Sequence, residues 1–298
     1  MESLQLIREF AFARHALVVA VAVGTICSLI SVVVVLKRMA FAGQGISHAG
    51  FGAIGTAVLV GWTGLAADTL VMVWCLLVAL LIGWMARGRR MEPDSAIGIL
   101  LVAAMAWGVL ADDLSQVLRD YEWYRQWVGP PESRPGFESL LFGSLTGVTL
   151  TDAWLATGLG LAVLAICTAF FKEIVFFTFD EPVSRVFGVP TGLVHYLLMS
   201  ILAVVIVVSI QLAGVVLVTA LLVLPGATAL QMSRRLGRVL FLAWAVGMIG
   251  TVGGLLVSLE LGDFSTGPCI VGVLCILFAG VYGGRWLTLR RAVASDGA

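Results

Sequence analysis

Residues 214–238 read GVVLVTALLVLPGATALQMSRRLGR, and they close a longer run: from Val186 to Ser233 the chain carries no Asp, Glu, Lys or Arg. At 1.5 Å per residue an unbroken helix over that run would reach roughly 70 Å, more than twice the thickness of a bilayer's hydrocarbon layer. The chain must therefore turn inside it. Gly214 and the Pro225–Gly226 pair are the natural breaks. They predict one full span over 193–212, then a re-entrant half-helix over 215–224, which lipid tolerates only if protein covers its free backbone groups. A short cationic surface helix over 226–238 follows.

The rest of the sequence has the same character. Hydrophobic residues make up 60% of the 298, charged residues 12%, and the mean hydropathy is +1.05, which places most of the chain in a membrane. Seven further runs of spanning length lie at 16–36, 49–67, 69–86, 95–111, 153–171, 239–259 and 264–284. With eight spans alternating, Lys37, Arg38, Arg87, Arg89, Arg90, Lys172, Arg185, Arg234, Arg235, Arg238, Arg285, Arg290 and Arg291 all fall on one side. By the positive-inside rule that side is the cytoplasm. The chain then starts outside with a retained interfacial helix over 1–15 and carries an extracytoplasmic segment over 112–138. Zero net charge and the absence of a basic cluster exclude nucleic acid as a partner. The five cysteines sit in apolar runs and read as small buried hydrophobes.

Catalytic signatures are missing. No GxxxxGK[ST], HExxH or GxSxG occurs, and Lys37 and Lys172 are the only lysines. Asp68, Asp94, Asp152 and Glu173 stand at predicted helix ends, not deep within spans, so an ion-coupled relay has no residues to run on. What remains is a glycine-rich helical scaffold whose small residues permit close packing, and a pathway driven by another subunit would explain the missing motor.

Ordered blocks along nearly the whole chain resemble the membrane permease of the bacterial ABC-3 family: LKRMAFAGQGISHAGFG at 36–52, EPDSAIGIL at 92–100, SLLFGSLTGVTLTD at 139–152, FDEPVSRVFGVP at 179–190, the block from Gly214, and STGPCIVGV at 265–273. The resemblance implies a single transmembrane permease domain over 1–298, all-α, with eight spans, the half-helix and a coupling helix at 226–238. It also implies a homodimer in the inner membrane, surrounded by lipid and importing zinc, manganese or iron. Separate ATP-hydrolysing subunits and an extracytoplasmic metal-binding protein complete such an importer. This chain would hold no permanent cofactor and perform no covalent chemistry, with ATP bound by its partners.

In that light Gly226, Gln231, Arg234, Arg235 and Arg238 are candidates for coupling to the ATPase, and His48 and Gln44 for the metal route. Gly43 and Gly45 are expected to turn the chain into the second span at Ile46, placing His48 just inside it. A neutral imidazole suits transient binding of a transition metal, and the family pattern's Asp is replaced here by Gln44. Outside, Tyr121, Trp123, Tyr124 and Trp127 read as an interfacial aromatic belt. Arg119, Arg125 and Arg134 are alternatives for docking the binding protein. A permease of the siderophore or cobalamin class, and a stand-alone carrier or membrane enzyme, stay open as other readings.

Overall fold

The structure, a computed structural model, describes residues 11–87, 92–128, 150–261 and 265–296. Its helices are α1 (Ala11–Leu36), α2 (Ala40–Val60), α3 (Leu65–Arg87), α4 (Pro93–Leu118), α5 (Glu122–Val128), α6 (Leu150–Ala169), α7 (Phe171–Phe179), α8 (Glu181–Val186), α9 (Thr191–Ala213), α10 (Val215–Met232), α11 (Leu236–Leu261) and α12 (Thr266–Asp296). No strand occurs among the described residues. Seven of these helices are long and apolar enough to cross a membrane, and α6 with α7, bent by 69°, makes an eighth if taken as one broken span. The all-α polytopic fold is the one the apolar runs predict.

Four local expectations are corrected. The helix from Val215 does not stop at Pro225: α10 runs through it to Met232, 18 residues or about 27 Å, long enough to return across the bilayer as a full pass. Neighbouring helices cover Pro225 and Gly226, both buried, and burial in protein is what lets a membrane helix carry a proline. No separate helix spans 226–238; its first seven residues belong to α10, and α11 starts at Leu236. Nor do Gly43 and Gly45 form a turn. The turn lies at Lys37–Met39, where Arg38 takes the left-handed conformation (φ 56°) and the Met39 N–H bonds back to the Val34 carbonyl at 2.8 Å, and α2 begins at Ala40. Finally, residues 11–15 belong to α1, which continues unbroken to Leu36, and not to a separate helix; residues 1–10 of the expected interfacial helix lie outside the described set.

The contacts divide the chain into two compact units. One holds α1, α6, α7, the end of α9, and α10 to α12; the other holds α2 to α5, α8 and most of α9. In the first unit α1 runs antiparallel to α11. Ala16 and Ala20 pack on Leu255 at one end, and Val32 packs on Val239 and Ala243 at the other. Ala229 of α10 joins the Val32 cluster, and a Cβ on Gly226 would stand 2.6 Å from the Ser31 carbonyl oxygen, so α10 ends beside the end of α1.

In the second unit α2 and α4 run parallel. Gly45 meets Ile97, Gly52 meets the Ala104 carbonyl, and a Cβ on Gly55 would come within 2.7 Å of the Gly108 Cα. The reverse direction of α3 follows from Ile82 beside Gly45 and Trp74 beside Gly52, and between them the Cys75 thiol donates to the Ile46 carbonyl at 3.7 Å. Between α7 and α9 the short α8 is capped by Asp180, whose Oδ1 accepts from the Val183 N–H at 3.0 Å.

Candidate metal pathway, coupling corner and outer rim

Gln44 and His48 lie four residues apart on α2 and so share one face. Gln44 is exposed and His48 half-buried, its ring stacked on Phe51 at 5.7 Å. The Nδ1 of His48 is fully buried and has no hydrogen-bond partner. Leaving such an atom unmatched costs about 1–3 kcal/mol. The indole Nε1 of Trp74 is in the same condition, 3.3 Å from where a Gly52 Cβ would stand, one turn beyond His48. These two are the only unmatched buried side-chain atoms among the described residues.

No three of His, Cys, Asp and Glu come together among the described residues, so this face offers an open, neutral donor set of one imidazole and one amide. The other histidines stand elsewhere. His195 Nε2 lies 3.3 Å from the Gly83 carbonyl, and His15 is on α1.

The coupling candidates separate into two kinds. Gly226 is buried in the seam with α1, facing backbone, and presents nothing to a partner. Arg234, Arg235 and Arg238 are exposed at the corner where α10 gives way to α11. That corner is firmly built. The Ser233 N–H bonds to the Ala229 carbonyl at 3.0 Å, the Arg235 N–H to Ser233 Oγ at 3.2 Å, and Leu36, Leu230 and Leu236 pack beneath it.

Gln231 is held by a residue sequence reasoning used only for orientation. Arg285 of α12 donates from Nη1 to the Gln231 carbonyl at 2.8 Å and to its Oε1 at 2.9 Å, which supplies one of the carbonyls left open at the end of α10. Lys37 adds another cation at this end, its Nζ 3.6 Å from the centre of the Phe177 ring. Spacing alone could not have paired residues 54 or 140 positions apart.

Of the outer arginines, Arg119 is the half-buried C-cap of α4, Arg125 is exposed on α5, and Arg134 lies outside the described residues. Asp112 accepts from Gln116 Nε2 at 3.0 Å within its own helix, since α4 continues to Leu118.

The model of the ABC 3 transport family matches residues 9–282. The chain belongs to that family. This permease is 34% identical to the manganese transport system membrane protein MntC of Halalkalibacterium halodurans over 271 residues, 91% of this chain and 86% of that one. It is 30% identical to the chelated iron transport system membrane protein YfeD of Yersinia pestis, covering 90% and 84%. Among solved structures, PsaBC from Streptococcus pneumoniae in complex with Fab superposes with a TM-score of 0.78 at 27% identity, over 97% of this permease and 99% of that chain. The protein is thus a multi-pass permease of the bacterial inner membrane, of the class that serves metal import.

Proposed function

We propose that this permease passes a divalent transition-metal ion, manganese, iron or zinc, inward along the face of α2 that carries Gln44 and His48. The observation that carries the reading is this i, i+4 pair of neutral donors with a buried, unmatched imidazole nitrogen beside it. Transit requires ligands that hold an ion briefly; an imidazole and an amide oxygen select a borderline transition metal without the grip of a thiolate cage. Each chain supplies two donors, so two copies facing one another supply four, enough for a tetrahedral zinc site or part of an octahedral manganese site. The permease accordingly works as a homodimer.

Energy comes from ATP-hydrolysing subunits seated on the corner at Arg234, Arg235 and Arg238, where closure of the partner turns into rigid-body motion of the spans. An extracytoplasmic metal-binding protein delivers the ion at the opposite face, held by Arg119, Arg125 and Arg134. ATP binding and hydrolysis alternate the outward and inward openings. Uptake of radioactive manganese, zinc and iron into vesicles holding the complete complex tests the reading, with His48→Ala as the critical variant. Uptake by that variant at the unsubstituted rate would remove the pathway from this face.

A further inference from the structure

Helix α5 divides into three sectors. At 100° per residue, Tyr124 and Val128 fall together, Trp123 and Trp127 form a second pair, and Glu122, Arg125 and Gln126 fill the remainder. The first sector is fastened to the end of α2. Tyr124 is 1% exposed and its hydroxyl donates to the Leu59 carbonyl at 2.9 Å, one of the last carbonyls of that helix and without a partner inside it. Val128 sits on the turn at Gly61, where φ is +76° and a Cβ would stand 2.8 Å from Val128 Cγ1. The second sector is exposed, Trp123 by 58% and Trp127 by 63%, yet both rings are steadied edge-on against Tyr124 at 5.8 and 6.4 Å.

Exposed apolar residues of the candidate span α4, Ile99, Val102, Val109, Leu110 and Val117, recur at helical spacing on one face, the composition of a surface suited to lipid. The link between the two helices is itself hydrogen-bonded, from the Tyr121 N–H to the Leu118 carbonyl at 3.0 Å and from the Arg125 N–H to the Tyr121 carbonyl at 3.2 Å.

We propose that α5 is a membrane-interface foot: Trp123 and Trp127 sit in the headgroup layer of the outer leaflet and, through Tyr124, fix the outer end of α2 at that depth. A helix with one face on protein, one of charged and amide groups and one of paired indoles matches the rim of a bilayer, where water, lipid and protein meet. A docking platform for a soluble protein would present the polar sector, and the indoles face away from it. The foot stands on the membrane location of the chain and not on what the chain carries.

The test is W127C, and in parallel W123C, with Cys167, Cys269 and Cys275 replaced by alanine, labelled with bimane in phosphatidylcholine–phosphatidylglycerol vesicles. A nitroxide on the headgroup should quench the label more strongly than one near the acyl terminus and more strongly than aqueous iodide. Dominant quenching by iodide, dominant quenching by the deep nitroxide, or protection from all three would each overturn the foot. Should the labelled variants fail to fold, brominated-lipid quenching of the unsubstituted permease is compared with W123F/W127F. Loss of a headgroup-depth component in the double variant is expected, and an unchanged profile overturns the proposal.

Discussion

Replacing Gly226 by alanine decides whether this residue serves the helix seam or a partner. A methyl group there would stand 2.6 Å from the Ser31 carbonyl oxygen, 2.7 Å from its carbon and 2.9 Å from Ser31 Oγ. A carbon–oxygen contact settles at about 3.3 Å or more, so α1 and α10 must part by roughly 0.7 Å. The nearest obstacle is main chain, which no rotamer change can move, so the cost falls in the overpacking range of about 1–3 kcal/mol. Val32 and Ala229, which meet beside this point, lose part of their contact when the helices separate. Thermal unfolding of the purified permease in detergent should show the midpoint lowered by several degrees, and Ser31→Ala in the same chain should not restore it, because the carbonyl remains. An unchanged midpoint would refute the seam. If stability held while ATP hydrolysis ran without transport, Gly226 would face the partner and the path of α10 through Pro225 would be wrong.

Other substitutions probe the proposed pathway and corner. His48→Ala should abolish metal uptake while leaving assembly with the ATPase intact, as read by vesicle uptake and co-purification. Gln44→Asp should tighten metal binding by about tenfold or more, since a carboxylate replaces a neutral amide, and slow release; competition between manganese and zinc in uptake measures both. Reversal to R234E/R235E should dissociate the ATPase while changing the permease's own stability by no more than about 0.5 kcal/mol, because both side chains are exposed. Arg285→Ala removes two hydrogen bonds at an exposed site, worth about 1 kcal/mol together. It should leave the ATPase bound and raise the number of ATP molecules hydrolysed per ion moved.

Much of the fold was legible because membrane spans announce themselves by length and apolarity, and cations mark one end. The polar stretch at Gln44–His48 misled for a physical reason. Glycine beside polar residues signals a turn in water, but here Gly45 is a packing surface against Ile97 and Ile82, and the real turn rests on Arg38 in a conformation sequence rarely assigns to arginine. Pro225 misled in the same way, because its helix-breaking power is offset once protein covers the local backbone. Trp74 and Arg285 were out of reach: what sets them apart is a neighbour brought close by tertiary packing.

In the proposed coupling to an ATPase, the path of the chain bears on how a push at the corner would travel. Among the described residues the chain crosses at Ala40–Phe41, Phe179–Asp180 and Val208–Ser209. The first crossing directly follows the left-handed turn at Arg38, and the second falls at the N-cap of α8, where backbone torsions can absorb rotation. The third falls inside α9, where the hydrogen-bonded ladder resists twisting. The next place torsion can be released is Gly214, whose φ of 82° and ψ of 159° belong to a region open essentially to glycine alone. Beyond it α10 runs without interruption to Met232 and the corner. In the proposed coupling, then, displacement of the arginines would reach α9 along α10 and through Gly214, the one glycine on that covalent line.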